Sequence, residues 1–142
     1  MPPPDRKRLA RLQRLEQVRA IARQAAAVEA AEAEGTLAQL LALADRTGQL
    51  AADYANRHNI ADGGALRQLA GFRAGLDGIS TGTRADADRA RVQADLKLRQ
   101  LAEAERRRQA VEDRATAEKR ALSGQQQVQP LTGRRALGTG LE

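Results

Sequence analysis

The chain has 142 residues, enough for one domain, and contains no cysteine, which excludes a disulfide framework and thiolate chemistry. Charged residues make up 30% of the sequence, whereas aromatic residues make up only 1%. Because aromatic side chains normally dominate compact cores, this composition excludes a thick globular core and is typical of a long helix or coiled coil.

The net charge of +6 is unevenly distributed along the chain. Residues 1–28 carry a net charge of +5, 29–62 of −4, 63–101 of +3 and 102–142 of +2. If the chain folds back on itself, its first and last segments lie side by side and form a basic pole. The basic start, residues 1–8, has no hydrophobic region after its charges and therefore does not resemble a signal peptide. No apolar run could span a bilayer, so we expect a cytoplasmic protein.

The first predicted helix covers about residues 6–57. Prolines precede it, and Asp5 is suited to cap it. Apolar residues recur at intervals of three and four, but the pattern shifts twice, which indicates stutters in a coiled coil. The predicted packing positions are Leu12, Leu15, Val18, Ala22 and Ala25, then Val28, Ala31, Gly35 and Ala38, and then Leu37, Leu41, Ala44, Gly48, Ala51 and Ala55.

Residues 56–64 predict a turn, because they include two asparagines, a potential capping residue (Asp62) and the pair Gly63-Gly64. Two arms of similar length around one turn favour an antiparallel hairpin. The one histidine, His58, is interpreted as a solvated turn residue. Rings near the turn form either a small structural cap or a partner contact; the residues concerned are Tyr54, His58 and Phe72, with Ile60, Leu66 and Leu69.

The second predicted arm covers about residues 65–122. Four glycines at helical spacing indicate either a weak, kinked segment or a groove for another helix: Gly71, Gly75, Gly78 and Gly82. Ser123-Gly124 predicts the helix end, so the hairpin would occupy 1–124 and a flexible tail 125–142. The apolar stripe is Leu66, Leu69, Phe72, Leu76 and Ile79, then Ala87, Ala90, Ala94, Leu98, Leu101, Ala104, Val111, Ala115 and Leu122.

Residue types for catalysis are too sparse to predict an enzyme. His58 has no cysteine or second histidine with which to bind a metal, and no phosphate-loop motif is present, so we expect no cofactor. The basic pole has three interpretations: a solvated surface, a site for an acidic protein, or a site for nucleic acid. The last is disfavoured by interleaved acids and missing aromatics.

The whole pattern resembles the FliJ family of flagellar export proteins and their type III secretion counterparts. The resemblance rests on the length, the basic leucine-spaced opening Arg8-Leu9-Ala10-Arg11-Leu12-Gln13-Arg14-Leu15, the Ala/Glu/Gln-rich helix Arg19 through Leu43, the mid-chain turn, the charged return helix and the tail. Both the glycine series in the second arm and the alanine-rich packing positions depart from the family pattern.

The resemblance implies a non-enzymatic, antiparallel coiled-coil hairpin similar to the stalk of rotary ATPases. It also implies binding to the hexameric export ATPase and to the cytoplasmic domain of the export gate, and handling of export chaperones. Any membrane association would be peripheral, through the export apparatus. By position, the partner-binding residues would be Arg8, Arg11, Leu12, Leu15, Arg107, Arg108, Val111 and Leu122.

Two alternatives remain open at this point: a basic coiled coil that associates with nucleic acid, and a scaffold that oligomerises through the glycine face of the second arm. The sequence also leaves open which end docks, and whether the hairpin closes within one chain or between two.

Overall fold

A computed structural model of the chain describes the backbone of residues 3–57 and 62–138 and the side chains of residues 3–57 and 62–127. Two helices account for nearly all of this: α1 (Arg6–Ala55) and α2 (Gly63–Gly138). They pack against each other antiparallel, and no strand occurs in the described ranges. The predicted all-α fold, a long antiparallel two-helix coiled-coil hairpin, is confirmed.

The chain divides into two compact units, each with a stretch of α1 packed on a stretch of α2. Unit 1 consists of Met1–Ala26 and Leu101–Glu142, and unit 2 consists of Ala27–Gln100. In unit 1 the start of α1 therefore packs on the second half of α2. Unit 2 contains the end of α1 and the start of α2.

Both helices begin at an aspartate cap, as the sequence predicts. The Lys7 backbone N–H donates to Asp5 Oδ1 at 3.0 Å, and the Ala65 N–H donates to Asp62 Oδ1 at 2.7 Å. Each bond satisfies a backbone donor that has no partner inside the helix, which stabilises a helix start by about 1 kcal/mol. No described residue has a positive φ, so Gly63 and Gly64 form the first turn of α2. The predicted turn residues 58–61, including His58, Asn59 and Ile60, lie outside the described residues.

In unit 2 the two helices meet through small side chains. Ala44 and Ala94 are almost fully covered, as are the hydroxyl-bearing residues Thr47, Ser80 and Thr83. Ala27, Gly48, Ala55 and Leu69 are partly covered, and the other covered positions follow an alternation of threes and fours, the signature of knobs-into-holes packing. On α1 they are Ala30, Ala33, Leu37, Leu40, Ala44, Thr47, Ala51 and Tyr54; on α2 they are Leu76, Ser80, Thr83, Ala87, Ala90, Ala94 and Lys97.

Unit 1 continues the same spacing but fills it differently. On α1 the more covered positions are Leu9, Leu12, Glu16, Arg19 and Ala26. On α2 they include Leu101, Ala104, Arg108, Val111, Ala115, Glu118 and Leu122. Charged side chains therefore occupy several positions where a coiled coil normally places apolar ones.

The predicted stutters in α1 are wrong. The covered residues keep one three-four register from Leu9 through Ala51, in which the position between Arg19 and Ala26 is held by the exposed Arg23. Three apolar residues assigned to the packing face, Leu15, Val18 and Val28, are instead exposed, as are Ala31, Gly35 and Ala38. The prediction followed the apolar residues, whereas the helices pack one position further along, where Glu16 and Arg19 lie.

The predicted end of the second helix is also wrong. Helix α2 passes through Ser123 and Gly124 and continues to Gly138, so 125–138 are helical rather than irregular. One glycine costs a helix only about 1 kcal/mol relative to alanine, which a long helix can tolerate. Residues 139–142 of the predicted tail lie outside the described residues.

The glycine series of α2 does not interrupt the helix, and no described residue packs on it. A Cβ added at Gly71, Gly75, Gly78 or Gly82 would meet nothing within 4 Å. Because α1 does not occupy this face, the interpretation as a groove for another helix, such as one from a second chain, stays a prediction. The four glycines remain a locally weak stretch of an exposed helical face.

We expect Gly75→Ala and Gly78→Ala each to raise the free energy of unfolding by about 0.5–1 kcal/mol, because alanine is the better helix former and has open space here. Urea unfolding followed by circular dichroism measures the change. The exposed neighbour Ala74 supplies the reverse control, since Ala74→Gly should lower the stability by a similar amount. A loss of stability in the alanine variants would show that these glycines contact something in solution.

Candidate functional site

An open groove lies in unit 1 where α1 begins. Its volume is about 740 Å³, and five of its eight lining residues are apolar. Arg8, Arg114 and Glu118 supply the charge. We call it the terminal groove; its lining consists of Pro3, Pro4, Arg8, Leu12, Arg114, Ala117, Glu118 and Ala121.

Glu118 fixes the start of α1 against α2. Its Oε1 accepts a hydrogen bond from the Asp5 backbone N–H at 2.8 Å, and its Oε2 lies 3.9 Å from Arg8 Nη1. One carboxylate thus satisfies a backbone donor before the helix and holds an arginine at the groove. The terminal groove is therefore bordered by a positioned cation and has an apolar base.

Arg108 is engaged by carboxylates on its own helix. It donates to Glu105 at 2.8 and 3.3 Å and to Glu112 at 2.6 Å. The hydrogen bond that Arg108 donates to Glu105, followed by the one that it donates to Glu112, raises the pKa of the Arg108 guanidinium, and the same contact with Arg108 lowers the pKa of Glu105. Its donors are directed along α2, so Arg108 braces the helix surface.

The two preceding arginines share one acid. Arg106 Nη2 lies 2.7 Å and Arg107 Nε 3.1 Å from Glu103. The hydrogen bond from Arg106 is the main cause of a lowered pKa at Glu103, with Arg107 contributing. The positive potential of the arginine triplet is thereby reduced, although both Arg106 and Arg107 remain well exposed.

The eight predicted partner-binding residues divide by accessibility. Val111 is only 6% exposed and packs between the helices of unit 1, so a partner could reach it only by separating them. Leu122 and Arg108 are partly covered. The structure brings Arg8 and Leu12 together in the terminal groove, and Arg11, Leu15 and Arg107 are exposed.

The sequence-based prediction missed the charged residues that lie in the packing face of unit 1. Arg23 Nε pairs with Glu105 at 2.8 Å across the two helices. One turn earlier, Arg19 Nε is enclosed and has no hydrogen-bond partner among the described residues. The signal was present in the sequence: the spacing from Leu9 to Ala30 remains regular if Glu16, Arg19 and Arg23 are accepted as packing positions.

Because α1 packs on α2 one position further along than its apolar residues, a strip of apolar side chains on α1 is exposed to solvent. In unit 1, Val18 is 59% exposed and Ile21 is 71% exposed, and Leu15 lies beside them. Ala22 and Ala25 continue the strip about one and two turns beyond Val18. We call these residues the outer stripe: Leu15, Val18, Ile21, Ala22 and Ala25.

At the far end of unit 2, two aromatic rings connect the helices next to the turn. Tyr54 and Phe72 meet edge to face, with centroids 4.7 Å apart, and the Arg57 guanidinium lies 4.2 Å from the Tyr54 centroid. Of the predicted cap, Leu69 is partly covered and Leu66 is exposed; His58 and Ile60 lie outside the described residues. The Tyr54–Phe72 contact supports the structural interpretation of these rings.

In the described ranges, no group of three or more His, Cys, Asp or Glu side chains could hold a metal ion. Across the same residues, neither helix contains a stretch long and apolar enough to cross a membrane. No protein-family model, curated protein or solved structure matches the chain.

Proposed function

We propose that this chain is a non-enzymatic coiled-coil component of the bacterial flagellar export apparatus, which binds the export ATPase ring and the cytoplasmic domain of the export gate. Support comes from the two-helix hairpin and from the sequence resemblance to the FliJ family. The observation that carries the proposal is the terminal groove, since it combines an apolar base with exposed cations. Such a surface suits a partner segment that presents an apolar residue flanked by carboxylates.

Arg11, Leu15 and Arg107 are the exposed members of the expected docking surface, and the half-buried Arg8 and Leu12 line the terminal groove. Arg11 and Arg107 are the sharpest probes, because both are exposed and neither packs between the helices. Arg8 is less suitable for charge reversal, since a glutamate there would face Glu118 and disturb the start of α1.

The double variant Arg11→Glu/Arg107→Glu is expected to weaken binding to the purified export ATPase by at least about tenfold, because two attractive contacts become repulsive. Calorimetry or interferometry at fixed salt gives the dissociation constant. The matched control is Arg46→Glu/Arg91→Glu, which makes the same charge change at exposed positions of unit 2.

Two outcomes would argue against the docking surface. Unchanged binding in the double variant would remove these cations from the interface. An equal loss in the control would show that net charge alone governs capture. A deletion strain that swims normally would contradict the role in flagellar export itself.

Nucleic-acid binding is the less favoured alternative. Arg106, Arg107 and Arg108 are each bonded to neighbouring carboxylates, which reduces the potential that phosphates would meet. Nucleic-acid binding would require an affinity that falls steeply with salt. Retention of the wild-type chain on duplex DNA at low salt, lost as salt rises, would favour this alternative.

A further inference from the structure

Unit 1 places its polar and apolar residues on unexpected sides of α1. The helix turns Glu16 and Arg19 towards α2 and leaves Val18 and Ile21 largely in solvent. Moving apolar side chains of this size out of water stabilises an assembly. Single exposed apolar residues are ordinary, but a run at helical spacing indicates a contact surface.

The outer stripe has the spacing of a second coiled-coil face. Leu15, Val18, Ala22 and Ala25 are separated by three, four and three residues, and Ile21 flanks them. A partner helix can therefore lie along it with knobs-into-holes packing. Because α1 already packs on α2 through another face, the new partner would be a further helix.

We propose that the occupant is the outer stripe of a second copy of this chain, so that two hairpins associate antiparallel through α1. The pattern of α1 is self-complementary when one copy is reversed. Leu15 then lies opposite Ala25, and Val18 opposite Ala22. Large residues meet small ones at every layer, which permits close packing without overlap. This interface shares Leu15 and Arg11 with the docking surface proposed above, but it does not depend on the role in export.

Charge complementarity fixes the register. The same three-four spacing along the sequence of α1 adds Arg11 before the stripe and Glu29 after it. In the reversed pair, Arg11 of each copy lies opposite Glu29 of the other. Glu29 uses Oε2 to accept from Lys97 at 3.1 Å, which leaves its second oxygen for this contact. A parallel pair would place Arg11 against Arg11, and is disfavoured by repulsion.

Twofold symmetry accounts for both features together. An isologous interface repeats every contact, so two Arg11–Glu29 pairs flank one apolar centre. Val18 and Ile21 lie near the axis, where a single substitution alters the interface twice. They also lie outside the terminal groove, so they can be changed without altering its lining.

Sedimentation equilibrium of the full chain tests the association. We expect a concentration-dependent mass that approaches twice the monomer value of 15.3 kDa. Val18→Glu should give a monomer, and Ile21→Gln should weaken the dimer. Val92→Glu, at an equally exposed valine of α2, should remain dimeric. Circular dichroism of each variant shows whether its helices are intact.

A charge exchange tests the register. Arg11→Glu and Glu29→Arg should each raise the dimer dissociation constant by about tenfold, because each change affects two pairs. Arg11→Glu/Glu29→Arg should restore it, since the exchanged charges face each other again. Failure of the double variant to restore the dimer would overturn the antiparallel register.

The remaining outcomes are also decisive. A wild-type chain that stays monomeric at high micromolar concentration would overturn the dimer, as would a dimer that survives Val18→Glu. If the wild type is monomeric and Val18→Glu abolishes capture of the export ATPase, the stripe belongs to that partner and this inference fails. Capture of the ATPase by a monomeric Val18→Glu variant would separate this proposal from the export role.

Discussion

Ala44→Asp is expected to lower the free energy of unfolding by about 3 kcal/mol, the largest loss among the substitutions considered. Ala44 is only 3% exposed, where α1 packs on α2 in unit 2. Aspartate is short, so its carboxylate cannot extend past the neighbouring helix to water as a longer side chain could. The charge would either lose its hydration or push the helices apart.

Nearby groups on α1 offer little compensation. The residues one turn before and after are Leu40, Leu41, Thr47 and Gly48, none of them basic. The Thr47 hydroxyl already donates to the Leu43 carbonyl at 2.7 Å. A new carboxylate at this position would therefore have no cation beside it on its own helix.

Ala38→Asp provides the matched control, since Ala38 lies on the same helix and is exposed. Both variants lose the same helix propensity, about 0.5 kcal/mol, so the difference between them reports burial. Urea unfolding at one fixed protein concentration measures both, because self-association would make stability depend on concentration. Equal destabilisation by the two variants would mean that Ala44 does not pack against α2.

Helix α2 was the more predictable half of the hairpin. From Ala87 onward periodicity found Ala87, Ala94, Val111 and Ala115 correctly, although Leu98 of the predicted stripe is exposed and its neighbour Lys97 takes the packing position. The earlier part was less well predicted: Leu76 is buried, but Leu66 and Ile79 are exposed. Ser80 and Thr83 take the packing positions there, and a hydrophobic pattern does not select hydroxyls.

Helix α1 was harder because it carries two faces that differ by one residue in sequence. Apolar content marks the outer stripe, whereas packing on α2 uses the neighbouring positions with Glu16 and Arg19. Periodicity measures where apolar residues recur, not which face the partner helix covers. The partner's own pattern decides that, and here it places Glu105 at the level of Arg23 and Arg108 at the level of Arg19.

The candidate site was predictable in composition and not in geometry. The sequence shows that arginines are concentrated in residues 6–23 and 106–120, but it does not show which carboxylates they pair with. The arginine triplet donates to Glu103, Glu105 and Glu112, and the Asp5 backbone N–H donates to Glu118. All of these hydrogen bonds depend on side-chain rotamers and on the register of the two helices. The glycine at position 124 likewise signals a stop only if the following residues gain nothing by remaining helical.

Arg19→Leu is expected to raise the free energy of unfolding by about 1–2 kcal/mol. The Arg19 Nε is enclosed without a hydrogen-bond partner among the described residues, and a buried unsatisfied donor of this kind costs about 1–3 kcal/mol. The Arg23–Glu105 contact places Arg19, about one helical turn earlier, at the level of the α2 turn that contains Arg108. Two guanidinium groups at one level of a packing face repel, and Arg108 already has its two carboxylates.

Leucine would fill a regular coiled-coil position and remove both costs. Replacing partly buried charged groups with apolar ones of similar size is often stabilising by about 1–4 kcal/mol, and the lower half of that range applies because Arg19 is only partly covered. Arg14→Leu, at an exposed position of the same helix, should change stability by less than about 0.5 kcal/mol. Urea unfolding of both variants in the Val18→Glu background excludes any contribution from association. A loss of stability in Arg19→Leu would show that the other nitrogens of the guanidinium make contacts that hold unit 1 together. The charged packing face would then stabilise the fold rather than destabilise it.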